Sequence, residues 1–275
     1  MKRTLFAVSA LALCAFASAQ TSPVQGADTD PIQTANSHIG LAAGVATLAY
    51  HEYGTGGSGP YLDSETGALP ALTLDVARQA AVAGIENIYV ASALTLVSGP
   101  THYAGTSLAT GAPEDFSHWT AEVDYSLKLG KGFKVAPQWQ VTPYFEYSLR
   151  YWARMSEENY LENDIGGGVL TQYAITPKLV LGADMALTKA VTADVITPDF
   201  TVHQHSNWSP AFTLSADYAL TRRLHLLASY QYRHSHYGQS ETADHTTYYG
   251  LPGNWYEPAD RITQNLVMAG ASWAF

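Results

Sequence analysis

An alternation of apolar and other side chains at every second residue recurs along most of this chain. In HWTAEVDYSLKLG (118–130), one face is apolar from Trp119 to Leu129, and the other carries Thr, Glu, Asp, Ser and Lys. The chain ends on the same pattern, because Val267, Trp273 and Phe275 share a face of NLVMAGASWAF. Successive side chains of a strand point to opposite faces of a sheet, so each such stretch predicts a β-strand with one apolar face.

The pattern predicts ten strands. They lie near 38–52, 72–83, 86–98, 118–130, 142–153, 160–175, 177–187, 211–220, 223–234 and 257–275. In the first of them, Leu48 and Tyr50 break the parity that Ile39, Leu41 and Val45 set. A β-bulge, which inserts one extra residue into a strand, would explain that break.

The connections between these strands alternate in length. Short turns are predicted near Gly84, at 176–178 and at 220–223, and a somewhat longer turn between Gly130 and Val141. Long polar segments join the other strands at 53–70, 99–116, 153–160, 189–207 and 235–255. Antiparallel strands joined in this way have one rim of tight turns and one rim of five long loops.

The first residues have the features of a secretory leader. Lys2 and Arg3 precede an apolar run from Leu5 to Phe16, and Ala17-Ser18-Ala19 is a small-residue cleavage signal. We therefore expect residues 1–19 to be removed. The single cysteine, Cys14, lies within this leader, so no disulfide is expected to stabilise the mature protein.

Composition excludes several classes of protein. Hydrophobic residues make up 47% of the chain and charged residues only 14%, yet no later segment has the roughly 18 apolar residues of a membrane helix. Without Lys2 and Arg3 the chain has 12 basic and 24 acidic side chains, a net charge of −12. Such an acidic chain is not expected to bind nucleic acid.

Alternating strands also occur in soluble β-sandwiches, but two features favour a barrel that crosses a membrane. The apolar faces are rich in Tyr and Trp near the strand ends, as in the aromatic girdles of membrane barrels. The opposite faces carry Gly, Ser and Ala with isolated charges, which suits a narrow polar interior. The predicted fold is all-β, an antiparallel up-and-down transmembrane barrel of about ten strands, because an open sheet edge cannot be satisfied in lipid.

The leader, the alternating strands, the final stretch YEPADRITQNLVMAGASWAF and the terminal aromatic together resemble Gram-negative outer-membrane β-barrel proteins. The resemblance implies a barrel over 38–275 in the outer membrane, after a short periplasmic segment at 20–37. It also implies that both termini and the short turns are periplasmic and that the five long loops are outside. In that class, a last strand ending like Trp273 to Phe275 resembles the signal read by the barrel-assembly machinery, so outer-membrane lipid and that machinery are the implied partners.

The strand faces opposite the apolar ones supply the predicted lumen charges. These residues are Asp75, Glu122, Asp124, Glu146, Arg150, Asp164, Asp184, Asp217 and Arg233, together with Gln231 and Gln264. Confined charges have to be paired or hydrated, which favours a structural plug of ion pairs. The alternative is a small cation-preferring, porin-like channel, because carboxylates outnumber cations in the lumen.

Histidines near two strand ends form a candidate metal site. Residues i and i+2 of a strand share a face, so His203 pairs with His205 and His234 with His236. Pairing outward from the turn at 220–223 brings the two pairs towards one another at the outer rim. Four imidazoles would suit Zn or Cu. The alternative is that these residues decorate a wet interface, and otherwise no cofactor is expected.

Catalytic signatures are weak in this sequence. The ten-stranded omptin proteases use an Asp pair facing an Asp-x-His pair, and this chain has no Asp-x-His. It also lacks a G-x-S-x-G elbow. A barrel enzyme at the rim, a protease or a lipid-modifying enzyme, is therefore only the third interpretation. The favoured function is a non-enzymatic outer-membrane barrel whose aromatic, His-rich loops, including Tyr248, Tyr249, Trp255 and Tyr256, bind an extracellular ligand.

Overall fold

The computed structural model describes residues 30–54, 61–107, 110–154, 158–248 and 250–275, without the side chains of residues 245–247. The predicted leader at 1–19 lies outside the described residues, as does most of the predicted segment at 20–37. One helix precedes the strands in the described part, α1 at Pro31–Ala35. The strands are β1 His38–Tyr53, β2 Tyr61–Val82, β3 Ile85–Thr106, β4 Pro113–Lys131, β5 Phe133–Ala136, β6 Trp139–Ala153, β7 Asn159–Thr176, β8 Leu179–Ile196, β9 Thr201–Ser206, β10 Trp208–Ala219, β11 Leu224–Ser240, β12 Ala243–Tyr248, β13 Leu251–Trp255 and β14 Ala259–Ala274.

Ten of these strands close into an antiparallel ring. Its order is β1, β2, β3, β4, β6, β7, β8, β10, β11, β14 and back to β1. The last strand closes the ring by pairing with β11 on one side and, from His38↔Ala274 to Tyr53↔Ala259, with β1 on the other. Closure leaves the ten-stranded ring without a free edge, and it confirms the predicted ten-stranded up-and-down barrel.

No helix in the described residues is both long and apolar enough to cross a membrane.

The two ends of the barrel differ in their connections. Tight turns at 83–84, 177–178 and 220–223, and the segment at 132–138 with β5, lie at the end where β1 starts and β14 stops. We call this the short-turn end and the opposite one the long-loop end. Ala83 and Gly84 both have positive φ, 50° and 82°, as a two-residue hairpin turn requires. The predicted short turns are confirmed.

The strands extend further towards the long-loop end than the sequence predicted. The predicted loop at 53–70 contains the first ten residues of β2, because that strand begins at Tyr61. The predicted loop at 189–207 continues β8 to Ile196 and adds β9, which pairs with β8 and β11. These polar residues belong to strands rather than to loops, so polarity alone did not distinguish the two.

Side chains on the two faces of the wall separate as predicted, with one exception. Trp119, Met185 and Trp273 lie on the outer face and are more than half or about half exposed. The bulge predicted in β1 is wrong, because its ladders to β2 and β14 run without a shift past Leu48 and Tyr50. Both side chains point into the lumen, where they are 3% and 0% exposed, because the interior is apolar at that level.

Candidate functional site

The predicted lumen charges on β4 and β6 meet near mid-barrel. The Arg150 guanidinium lies between two carboxylates of β4, with Nε 3.3 Å from Glu122 Oε1 and 3.4 Å from Asp124 Oδ1. Its Nη1 lies 3.7 Å from Glu162 of β7. Glu122, Asp124, Arg150 and Glu162 all point into the lumen, because the even-numbered residues of β4, β6 and β7 face inward. With Arg233 they form what we call the central ion layer.

Two contacts carry this layer across the lumen to the opposite wall. Arg233 of β11 donates to Asp124 Oδ1 at 3.2 Å. Gln264 of β14 donates to Glu122 Oε1 at 3.1 Å. Because β11 and β14 lie far from β4 in the ring, these contacts span the lumen rather than run along its wall. Asp164 lies beside the layer, where it accepts a hydrogen bond from Thr188 at 3.5 Å.

A second charge cluster fills the lumen nearer the long-loop end. Arg154, only 1% exposed, lies among four carboxylates, and we call this set the upper cluster. The nitrogen–oxygen distances are 3.0 Å to Glu52, 3.2 Å to Asp63, 3.0 Å to Glu65 and 3.0 Å to Glu158. The guanidinium carbon lies 4.1 Å from the centre of the Tyr50 ring, close enough for a cation–π contact.

A fifth carboxylate, Glu257, borders the upper cluster from the segment between β13 and β14. The Tyr160 hydroxyl donates to Glu257 Oε1 at 2.5 Å. Burial raises the pKa of Glu257 well above its ordinary value, and the nearby Glu52 and Glu158 carboxylates raise that pKa further. The protonated form of Glu257 is therefore favoured, which limits the excess of negative charge around the single Arg154.

Between the central ion layer and the short-turn end the lumen contains a cavity of about 340 Å³, which we call the chamber. Lys128 extends across it to Asp184 at 2.5 Å, and Tyr144 donates to the same carboxylate at 2.5 Å. Gly168 makes room for this phenol, because a Cβ at that position would lie 2.4 Å from the Tyr144 hydroxyl. The chamber lining includes the predicted Asp75, Asp124, Glu146, Asp184, Asp217, Gln231 and Arg233.

A layer of buried amides closes the chamber at the short-turn end. Asn36, which follows α1, donates to Gln79 at 2.8 Å and to Gln172 at 2.7 Å. Gln79 and Gln140 exchange hydrogen bonds of 2.9 Å across the lumen. Ile32 of α1 packs on Val180 and Ala35. Residues 31–36 of the predicted periplasmic segment are thus part of a lower plug inside the barrel end.

The four rim histidines have separate partners. His203 Nδ1 lies 2.5 Å from Asp194 Oδ1, and His205 Nδ1 lies 2.7 Å from the Gln239 carbonyl. His234 lies 3.0 Å from Thr263 Oγ1, and His236 lies 3.4 Å from Asn207.

Within the described residues, no three His, Cys, Asp or Glu side chains are arranged to share a metal ion. Strand β9 does pair with β11, at Tyr237↔Ser206 and Gly238↔His205, but this register does not gather the imidazoles. Metal binding at the rim stays a prediction.

Some of the predicted aromatic loop residues are buried against neighbouring rings, and others are exposed. Tyr248 is buried, with its ring 5.2 Å from that of Phe200 and 5.5 Å from that of Trp255. Its hydroxyl donates to Glu158 at 2.7 Å. Tyr256 is exposed, and Tyr249 lies outside the described residues. At the other end, the exposed rings of Trp273 and Phe275 lie near the guanidinium groups of Arg223 and Arg78.

Several lumen residues were not among the predicted ones. They are His38, Glu52, Asp63, Glu65, Lys128, Arg154, Glu158, Glu162, His225 and Glu257. The sequence contained a signal for some of them, because every second residue of β2 faces the lumen from Asp75 back to Glu65 and Asp63. The same parity continues from Arg150 of β6 to Arg154, one residue beyond the end of that strand. Four of the missed residues lay in segments interpreted as loops, namely Asp63, Glu65, Arg154 and Glu158. The other six lay within predicted strands and were not singled out.

Comparison with known proteins supports the fold. No protein-family model matches the chain, and no curated protein matches it. Among solved structures, the outer membrane protease OmpT from Escherichia coli is similar with a TM-score of 0.54 and 11% identity, over 86% of this chain and 96% of that one.

Two autotransporter barrels are similar at lower scores. The beta domain of the Bordetella autotransporter Brka has a TM-score of 0.41 and 13% identity, over 86% of this chain and all of that one. The translocator domain of NalP from Neisseria meningitidis has 0.39 and 11%, over 98% and 95%. At these identities the likeness concerns the fold alone. The chain therefore has the fold of the Gram-negative outer-membrane β-barrels.

Proposed function

We propose that this protein is a closed outer-membrane barrel, non-enzymatic and non-conducting, whose long loops serve interactions at the cell surface. The observation that carries the proposal is the pair of contacts between opposite walls, Arg233 with Asp124 and Gln264 with Glu122. A hydrated ion needs a continuous aqueous path, and these side chains cross the path at mid-barrel.

Two further layers support a closed lumen. The upper cluster packs Arg154 among Tyr50, Trp152 and Tyr160, all of them buried. The buried amides of Asn36, Gln79 and Gln140 block the short-turn end. Breaking a buried ion pair by removing one partner typically costs about 3–5 kcal/mol, so spontaneous opening of the central ion layer would be rare.

The test is the conductance of the refolded protein in a planar lipid bilayer, with correct folding verified by circular dichroism. We expect no discrete current steps from the wild type. As a comparison, Glu122→Ala/Arg150→Ala/Arg233→Ala removes the central ion layer while keeping the wall, and an equally silent trace would mean that the upper cluster and the amide layer suffice. Discrete steps from the wild type would overturn the proposal.

The second candidate is a small cation-preferring channel, favoured by the excess of carboxylates along the lumen. Cation-selective steps from the wild type, reduced by Glu122→Gln or Glu146→Gln, would support it. The likeness to a protease does not add a catalytic proposal, because 11% identity concerns the fold and the chain has no Asp-x-His sequence.

A further inference from the structure

We propose that the chamber is a binding site for a small organic ammonium compound, entered from the short-turn end when α1 moves aside. This goes beyond the proposed function, because a lumen closed at mid-barrel can still hold a chamber that opens on one side only. The chamber volume, about 340 Å³, lies at the small end of the usual range for small-molecule sites, roughly 300–1,000 Å³.

The charge balance of the chamber favours a cation. Its two fixed cations are each committed, Lys128 to Asp184 at 2.5 Å and Arg233 to Asp124 at 3.2 Å. Among the basic groups of the described residues, Asp75 contacts only the imidazole of His38, and Asp217 contacts only that of His225. Glu146 has no ion-pair partner within 4 Å among the described residues.

Two carboxylate oxygens in the chamber lining make no hydrogen bond to a described protein atom. They are Glu146 Oε2 on β6 and Asp217 Oδ2 on β10. A water-sized sphere touches neither oxygen, so both are shielded from bulk water and from the open chamber, and a buried polar atom without a partner is costly. An ammonium group supplies three N–H donors and a positive charge. Bound in the chamber, it would neutralise part of the excess carboxylate charge, and it would reach these two oxygens once the Glu146 and Asp217 side chains rotate.

The rest of the lining favours an organic cation over a bare metal ion. Leu170, Val180 and Met268 contribute apolar surface, and Tyr89 contributes an aromatic side chain to the lining. No group of three carboxylate or imidazole side chains in the described part of the chain has metal-binding geometry. A ligand with an ammonium head and an apolar body uses both kinds of surface.

The route of entry follows from what closes each side. Towards the long-loop end stand the central ion layer and the upper cluster, both held by multiple ion pairs. Towards the short-turn end stands α1, five residues long, with Ile32 packed on Val180 and Asn36 hydrogen-bonded to Gln79 and Gln172. The contacts named here for α1 and Asn36 are uncharged, and a short segment is a weaker barrier than two clusters of ion pairs.

The first experiment compares three probes that share a phenyl body and differ in charge: 2-phenylethylamine, 2-phenylethanol and 3-phenylpropionate. Binding to the full protein in detergent is measured by ligand-observed NMR titration. We expect the amine to bind at least about tenfold more tightly than the alcohol or the acid. Equal binding of the three probes to the wild type would overturn the proposal, and this arm needs no variant to fold.

Variants then locate the binding. Glu146→Gln/Asp217→Asn should weaken amine binding by at least about tenfold. Glu114→Gln/Asp115→Asn makes the same charge change at exposed positions of β4 outside the chamber, so it should leave amine binding within about twofold. Amine affinity unchanged in the first double variant would place the binding elsewhere and overturn the site. Neither result depends on the conductance test, so the two proposals can fail separately.

The second experiment tests the entrance. Ser148 lines the chamber, and Ser148→Cys in a Cys14→Ser background gives one reactive thiol. We expect a trimethylammonium methanethiosulfonate to modify it faster than a sulfonate one, and Ile32→Ala to accelerate both. Arg222→Ala, in an exposed turn at the same end, is the control. A rate unchanged by Ile32→Ala, or equal for the two reagents, would contradict entry past α1 or selection for cations.

Discussion

The two halves of the lumen are built from the same ten strands and are filled in opposite ways. Towards the long-loop end, Tyr50, Trp152 and Tyr160 pack against one another in T-shaped and tilted pairs, with ring centroids 5.1–6.0 Å apart, around Arg154. Towards the short-turn end, the inward positions carry small side chains such as Ala93, Ser126 and Ser148, and about 340 Å³ is left open. The volume of the inward side chains thus decides whether a narrow barrel is solid or hollow at a given level.

The charges follow the same division. In the upper half one guanidinium is surrounded by carboxylates and aromatic rings. In the lower half Lys128 and Arg233 hold one carboxylate each, and Glu146 is left without an ion-pair partner among the described residues. A packed charge cluster stabilises the barrel, whereas a loosely packed one leaves oxygens that a ligand can satisfy.

The largest expected effect is the loss of Arg154. Arg154→Ala leaves Glu52, Asp63, Glu65 and Glu158 without their buried cation, so the free energy of unfolding should fall by about 3–5 kcal/mol. Urea unfolding in lipid vesicles, followed by tryptophan fluorescence, measures it. The control Arg222→Ala should change it by less than about 0.5 kcal/mol. Similar values for both variants would mean that the upper cluster does not stabilise the fold.

The same substitution in both halves tests the difference in packing. Leu69→Ala in the upper half should cost about 2–5 kcal/mol, because the surrounding side chains cannot fill the space. Leu170 borders the open chamber, so Leu170→Ala enlarges an existing cavity and should cost at least about 1 kcal/mol less. The same urea titration measures both changes. Equal costs would show that the chamber wall is packed as tightly as the upper half.

A pH series tests Glu257. Because burial raises the pKa of this carboxyl in the folded protein, the folded state keeps a proton that the unfolded state loses as pH rises above about 4.5. Its contribution to stability is therefore complete below that pH and declines at higher pH. Glu257→Gln should match the wild type near pH 4 and be the more stable of the two at pH 8. A pH-independent difference would contradict the raised pKa.

The smallest effect is expected at His203, which is 62% exposed. The hydrogen bond to Asp194 raises the pKa of this imidazole, so its interaction is present at low pH and is lost as pH rises through the raised pKa. An NMR titration should find the imidazole pKa above 6.5, and Asp194→Asn should lower it. Because solvent screens an exposed pair, unfolding experiments should barely detect either change.

Much of the fold was predictable because membrane barrels repeat a simple rule. Period-two alternation gave the ten barrel strands, and turn lengths gave the two ends. The rule also placed Glu122, Asp124 and Arg150 on inward faces. It misled at Leu48 and Tyr50, because an apolar side chain in a barrel can face lipid or an apolar interior, and only the ladders to β2 and β14 distinguish the two.

The sequence by itself determined the class of fold, the alternation of short turns with long loops, and the excess of acidic over basic side chains in the lumen. These features depend on local alternation and on composition. Tertiary structure decided which charges meet: Arg233 reaches Asp124 from 109 residues away, and Gln264 reaches Glu122 from 142. It also decided that α1 closes the chamber while Arg154 fills the other end. Contacts across a lumen depend on ring closure and on the stagger between distant strands, and the alternation of side chains within one strand determines neither.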